Sequence, residues 1–318
     1  MENPSACLVI LNYNGRDLLD EALPSIVAQR YAPYEVVVVD NGSTDGSAEH
    51  VRERWPQVRL VALERNVGVT AALNEMVRAA DGAELVGILN NDVELEPDWL
   101  ALLAETLREH PEAAAAAGKL LRHSDRDVID RAGDELHWSS ACFGRGAGER
   151  DRGQYDRPEE VFSVGGAAAL YRTAAFDRVG PFDDSFFAYA EDVEWGFRAR
   201  LAGYGARYEP RAVGLHHGGA TLGDINPFSL YHLRRNQLWM VLKDYPGRSL
   251  LRHGPAVLLF NLAAIANSGR HVILVLRAYR DALLGLPRVL RARRAIQRAR
   301  VVGDADLERV IRPAREAR

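Results

Sequence analysis

The stretch GILNNDVELEPDWL, Gly87 to Leu100, decides the fold. A short apolar run, Leu85-Val86-Gly87-Ile88-Leu89, stops abruptly at Asn90-Asn91-Asp92. A brief, nearly all-apolar segment bounded by turn formers predicts a strand buried on both faces, and such strands belong to parallel sheets covered by helices. Two other runs end the same way. Cys7-Leu8-Val9-Ile10-Leu11 passes into Asn12-Tyr13-Asn14, and residues 35–39 pass into Asp40-Asn41-Gly42-Ser43.

The segments between these runs have helical spacing. Leu18, Leu19, Ala22, Leu23, Ile26 and Val27 recur on one face of residues 16–29, Ser47 opens a second helix, and residues 71–80 predict a third. Residues 58–63 predict another strand. Strands alternating with helices define an α/β fold with a mostly parallel central sheet. Ligands bind such sheets outside the C-terminal ends of the strands, so the three polar clusters are expected in one crevice. There Tyr13 can stack on a flat base, Asp40 can accept from a base N–H or a ribose hydroxyl, and Asp92 is a hard oxygen ligand suited to Mg²⁺ or Mn²⁺. Any one cluster reads equally well as a turn or helix cap; three together favour a site.

Other nucleotide-binding classes lack their signatures. Asn12-Tyr13-Asn14-Gly15-Arg16 is neither G-x-G-x-x-G nor a Walker loop, which disfavours a nicotinamide enzyme or an NTPase. A receiver domain also places an Asp after a strand, but fits a chain of 318 residues poorly.

The second half adds chemistry. Residues 122–158, rich in charge and glycine, predict an irregular region or a pair of hairpins. Glu191, Asp192 and Glu194 stand at the start of a helix over residues 192–202, closed by Gly203. Such acids commonly complement the helix dipole, and Arg198 is spaced to pair with Glu194; beside Gly165-Gly166 they also offer a general base. His216-His217-Gly218-Gly219 ends a further strand-like run, where histidines serve either as structure or as metal ligands.

The series ILNYNG, VVVVDNGSTDGS, ERNVG, GILNNDVELEPDWL, FDDSFFAYAEDVEWGFRARLAGY and AVGLHHGG resembles the family 2 glycosyltransferases of GT-A fold. The likeness is greatest to the rhamnosyltransferase-type branch that builds bacterial cell-surface polysaccharides, and it runs from Ala6 to Gly219. The Arg234-Arg235-Asn236 segment resembles that branch more weakly. The resemblance implies inverting sugar transfer from a nucleotide-activated donor, a dTDP- or UDP-sugar. It places Asp40 at the base or ribose with Asn12 and Tyr13 beside it, Asn66 and Asn91 in the donor site, and Asp92 and His216 on a divalent cation, Mg²⁺ or Mn²⁺. It makes Asp192 the catalytic base supported by Glu191, and Arg198 a donor-site arginine. The chain departs from the family pattern at Asn90-Asn91-Asp92, where Asp92 is the one carboxylate, and at Ala71-Ala72, Glu194 and Trp195.

Charge divides the chain. From Leu230 onward 18 Lys/Arg face 6 Asp/Glu, a net of +12, so the preceding 229 residues carry −16 of the overall −4. A catalytic unit over residues 1–228 and a basic helical unit over residues 229–318 are expected, the latter broken near Tyr245-Pro246-Gly247 and Leu286-Pro287. The apolar stretch between Arg252 and Arg270 is too short and polar to span a bilayer. Arginine-faced helices suit an anionic membrane interface or a hairpin packed on the body, and both remain open. Aromatic residues do not interleave with the arginines, which speaks against nucleic acid. Two cysteines and no apolar leader at Met1 lead to the expectation of a reducing, cytoplasmic setting, peripheral to the inner face of the membrane, with a glycan or polyprenyl-linked acceptor. A non-catalytic nucleotide-sugar or glycan-binding module at the membrane is the alternative.

Overall fold

The computed structural model describes residues 3–165, 167–218 and 226–314; Gly166 and Gly219 fall outside them. The first half forms β1 (Ala6–Asn12), α1 (Arg16–Val27), β2 (Tyr34–Asp40), α2 (Ser47–Arg54), β3 (Arg59–Ala62), α3 (Val69–Ala79) and β4 (Leu85–Asn90). The four strands are parallel in the order β3-β2-β1-β4. Successive side chains of a strand face opposite sides, and β1 shows the result. Leu8 and Ile10 join a core with Leu19, Leu23 and Ile26 of α1, while Cys7 and Val9 join a second core with Leu73 and Met76 of α3. Both faces are therefore apolar, which explains the unbroken hydrophobic runs. The register sets Asn12 beside Asp40 and Leu11 beside Asn90, so the polar strand ends share one edge.

The second half contributes β5 (Val93–Leu95), α4 (Trp99–Glu109), β6 (Ala113–Arg122), β7 (Asp125–Arg131), β8 (Asp134–Leu136), β9 (Cys142–Gly144), β10 (Glu159–Glu160), β11 (Ala168–Arg172), α5 (Thr173–Val179), α6 (Glu191–Leu201) and β12 (Gly205–His216). Here the sheet becomes mixed. β11 enters antiparallel between β4 and β6, and β12 then pairs parallel with β6. The central sheet flanked by helices is as the sequence implies, with the parallel pairing concentrated in the first half of the chain. Residues 122–158 resolve into a β6–β7 hairpin and the small β8–β9 sheet.

β6 overrides local preference. Ala113 to Ala117 would favour a helix in isolation, yet all five are buried in the middle of the sheet, where small side chains admit close neighbours. Gly118 continues this economy of space, since a Cβ there would lie 1.7 Å from the carbonyl oxygen of Ala212.

The chain closes with α7 (Pro227–Asp244), α8 (Gly247–Ala266), α9 (Val272–Leu284), α10 (Leu286–Ala299) and α11 (Asp304–Val310), with the interruptions where the prolines predict them. Trp239, Met240 and Val241 of α7, and Tyr245 just after it, share a third core with Phe186 and with Val193 and Phe197 of α6. Lys243 reinforces this seam: its Nζ lies 2.6 Å from Asp183 Oδ2 and 2.6 Å from Glu194 Oε1. α8 differs from the expectation of a short polar stretch. It starts at Gly247, runs 20 residues, and is long and apolar enough to cross a membrane, with a best window of mean hydropathy 1.3 that is only 11% buried.

Candidate active site

A cavity of about 850 Å³ opens at the polar edge of the sheet. Tyr13, Asn66, Asn91 and Asp92 line it from the first half of the chain, and Glu191, Asp192 and His216 from the second. Seven of the ten residues singled out from sequence thus share one space. Asn12 and Asp40 lie just beneath it, fully buried. Asn12 Nδ2 donates to Asp40 Oδ2 at 2.8 Å, Asn91 Nδ2 donates to Asn12 Oδ1 at 2.7 Å, and the Ser43 amide donates to Asp40 Oδ1 at 2.9 Å. This polar floor ties the ends of β1, β2 and β4 together. Tyr13, 38% exposed, stands above it at the mouth.

Arg198 is the exception and does not line the cavity. Its guanidinium forks onto Glu194 at 2.7 and 3.0 Å and donates to the carbonyls of Val179 and Pro181. Every direction of the fork is thereby committed to holding α6 on the loop after α5. The sequence showed the pairing with Glu194 but not the helix burial that turns the side chain away from the site.

Asp92 and His216 meet across the β5–β12 pairing, where His216 is in register with Val93. His216 Nε2 lies 3.3 Å from Asp92 Oδ1, and its other ring nitrogen, Nδ1, lies 2.9 Å from Asp130 Oδ2. Burial by itself would lower the imidazole pKa, but the two carboxylates outweigh it and lift it to about 9. Asp92 Oδ1 is buried and, among the described residues, has no hydrogen-bond partner of good geometry. Two ligand atoms each about 2.1 Å from one ion are roughly 3.0–3.4 Å apart for angles between octahedral and tetrahedral, so this pair fits a divalent cation. Asp130 holds the ring from its other nitrogen, the position from which an outer carboxylate orients a metal-ligating histidine. It lies on an exposed-looking hairpin strand, and nothing in the sequence marks it.

Another group of potential ligands lies nearby. Glu94 Oε1 is 3.0 Å from His123 Nε2, and Glu21 Oε2 is 3.1 Å from His217 Nε2. The two rings stack at 3.8 Å with planes 14° apart. The ligand atoms of Glu94, His123 and His217 lie within 4.8 Å of one another, but parallel rings send their in-plane lone pairs side by side, which suits one ion less well than the pair of Asp92 and His216.

The acid pair opens α6. Glu191 is deeply buried; desolvation, then the charge of Asp192, raise its pKa well above the ordinary carboxylate range. Its Oε2 has no hydrogen-bond partner among the described residues. Glu191 therefore retains its proton near neutrality. Arg131 faces the pair: its Nη1 lies 2.6 Å from Asp134 Oδ1 and 3.9 Å from Asp192 Oδ2. Asp134 in turn accepts from Ser163 Oγ at 2.9 Å. Arg131 and Asp134 were not legible in the sequence, because a hairpin brings them to the cavity from a region without periodic pattern.

The turn before α6 is strained. Phe187, Tyr189 and Ala190 all have positive φ, at 64°, 68° and 66°. Non-glycine residues in this region each cost on the order of 1–3 kcal/mol and persist only where surroundings hold them. Gly165 shows how tightly the acid is seated, since a Cβ there would be 2.0 Å from Asp192 Oδ2. Gly165→Ala is expected to displace that carboxylate and cut turnover by about 10²-fold, the scale for an ångström of misplacement. Nucleotide affinity, measured by calorimetry, should stay within about threefold, because the polar floor of Asn12, Asp40 and Asn91 is untouched.

The chain matches the family model of Glycosyl transferase family 2 over residues 7–180. Among characterised relatives, an N-acetylglucosaminyl-diphospho-decaprenol L-rhamnosyltransferase of Mycobacterium tuberculosis is 30% identical over 239 residues, covering 68% of this chain and 77% of the relative. GalNAc-T7, solved with UDP, GalNAc and Mn²⁺, has a TM-score of 0.64 at 14% identity, covering 87% of this chain and 55% of that one. The mannosyltransferase PcManGT of Pyrobaculum calidifontis, solved with GDP-Man and Mn²⁺, has a TM-score of 0.57 at 22% identity, covering 94% of this chain and 86% of that one. The two solved structures share the fold. Sequence match, fold and the gathering of the strand-end residues agree: the chain belongs to glycosyl transferase family 2 and is a GT-A-fold glycosyltransferase of the rhamnosyltransferase-like branch.

Proposed function

We propose that this glycosyltransferase performs metal-dependent, inverting transfer of a sugar, with rhamnose the first candidate, from a dTDP- or UDP-sugar to a glycan or polyprenyl-linked acceptor. One observation carries it. A metal-fitting pair, Asp92 and His216, and an acid pair, Glu191 and Asp192, come from distant parts of the chain to line the same cavity.

Asp92 and His216 would hold a divalent cation, Mg²⁺ or Mn²⁺, whose Lewis-acid charge would offset that developing on the departing diphosphate. The chain's own groups do the rest. Tyr13, Asn66 and Asn91 orient the nucleoside and diphosphate above the floor formed by Asn12 and Asp40. The Asp192 carboxylate takes the proton of the acceptor hydroxyl as its oxygen bonds to the anomeric carbon and the bond to the diphosphate breaks. Glu191, holding its own proton, donates a hydrogen bond rather than competing as base. Attack from the face opposite the leaving group inverts the anomeric centre. Arg198, consumed by Glu194, acts through the placement of α6.

The functional division follows residues 1–228 for catalysis and residues 229–318 for placement at the membrane. α8 and α9 leave Leu251, Leu259, Ile273 and Leu284 more than 65% exposed, and Arg270, Arg277 and Arg280 stand among them. Leucine beside arginine suits the headgroup boundary of an anionic bilayer at the cytoplasmic face, where a polyprenyl-linked acceptor is presented. Sedimentation with vesicles containing phosphatidylglycerol should carry the protein down at low salt and release it at high salt. Equal recovery with neutral vesicles would remove the charge contribution.

The test of the function is a screen of dTDP-rhamnose and UDP-sugars with Mn²⁺, read first as thermal shift and then as donor hydrolysis or transfer. The expected result is a shift that needs both nucleotide and metal, since binding to the folded state raises apparent stability, followed by turnover. Metal-indifferent binding without turnover would favour the binding-module alternative.

A further inference from the structure

We propose that Asn236, on the C-terminal helix α7, is a positioning residue that holds the strained turn carrying the catalytic acids, with Arg235 fixing its orientation. This rests on the assignment of Asp192 as base and adds a role for the helical unit in the chemistry.

The turn from Phe186 to Ala190 has three left-handed, non-glycine residues and leads directly into Glu191 and Asp192. Such a conformation turns carbonyl groups away from helix and strand ladders. Asn236 meets three carbonyls of the turn, of which that of Phe186 also accepts from the Ala188 amide at 2.7 Å. Its Nδ2 lies 3.0 Å from the carbonyl oxygen of Phe186, 2.8 Å from that of Ala188 and 2.8 Å from that of Tyr189. The side chain is 0% exposed, so no water can replace these contacts without opening the seam.

The amide could in principle face either way, and its neighbour decides. Arg235 Nε donates to Asn236 Oδ1 at 3.0 Å, which leaves the nitrogen turned toward the carbonyls. The same guanidinium donates through Nη2 to the carbonyl of Phe186 at 2.8 Å and lies 4.3 Å from the ring centre of Trp239. The far side of the turn is held by the catalytic body, where the Thr70 amide donates to the Phe187 carbonyl at 3.1 Å. The turn is thus clamped between α3 and α7. Without the α7 side, the backbone regains ordinary dihedral angles, and the start of α6 loses its aim at the acceptor.

Asn236→Ala removes the donors. Asn236→Asp keeps the shape and the contact with Arg235 but has no N–H to offer, and serves if the alanine variant folds poorly. Val51→Ala, a buried change on α2 in the core of α1 and β1 rather than the core of the turn, controls for general destabilisation. All are made in the full chain. Hydrogen exchange of the amides of residues 187–193 should accelerate at least tenfold in the Asn236 variants and stay unchanged in Val51→Ala. Transfer or donor hydrolysis should fall about 10²-fold, with dTDP and UDP affinity in Mn²⁺ changed less than threefold. A merely structural role would instead lower melting temperature without this separation of turnover from nucleotide affinity. Unchanged exchange over residues 187–193 would overturn the clamp. Retained transfer in Asp192→Asn would overturn the base assignment while leaving the exchange test of the clamp intact.

Discussion

Asp192→Asn is expected to lose about 10³-fold in transfer, within the range for removal of a general base, while nucleotide and Mn²⁺ binding persist. The substitution keeps size and polarity, so the packing against Gly165, where even a Cβ would collide, is preserved. What disappears is the carboxylate that receives the acceptor proton. Glu191 cannot substitute, because its burial and its neighbour keep it protonated. A Glu191→Gln variant should accordingly be much milder than Asp192→Asn, since an amide still donates a hydrogen bond from that position. Steady-state rates with the donor and acceptor found by the nucleotide-sugar screen decide the matter. Equal losses at the two positions would reverse or merge the roles, and wild-type rates in Asp192→Asn would end the base assignment.

Asp92→Ala and His216→Ala are the second pair of large expected effects. Each should abolish Mn²⁺-stimulated turnover and weaken Mn²⁺ binding, followed by electron paramagnetic resonance of the free ion, by at least about 10²-fold. Asp130→Asn separates the outer from the inner ligand. It keeps a polar partner for His216 Nδ1 but removes the charge, and should cost about 10–100-fold in metal affinity. Chelation of the wild type should stop turnover, and added Mn²⁺ should restore it. If Asp92→Ala and His216→Ala both bind Mn²⁺ as the wild type does, the metal lies elsewhere, and the group of Glu94, His123 and His217 becomes the next place to look.

These experiments address different levels of one construction. The polar floor of Asn12, Asp40 and Asn91 depends on strand register alone. The metal pair depends on β12 returning beside β5. The acid pair depends on a turn that the C-terminal helices help to hold. A change at Gly165 or Asn236 is therefore expected to alter catalysis without touching any atom of the donor.

By itself the sequence determined the parallel half of the fold and the convergence of its strand ends. Side chains alternate along a strand, so burial on both faces writes itself as an unbroken apolar run, and each run's end marks the ligand edge. It also singled out Asp92, Asp192 and His216, through motifs whose residue types and order are specific, and the three line one cavity. The tertiary structure alone decided what those residues touch. The alanine run of β6 became a strand because neighbours on both sides required small side chains, against its own helical preference. Arg131 and Asp134 reached the cavity, and Asp130 reached His216, through a hairpin with no periodic signal. Arg198 turned inward because α6 is buried all round, which leaves its charge no stable place except on Glu194. Local pattern records which face is apolar; it does not record which distant backbone will arrive to meet it, and that meeting sets the chemistry of the site.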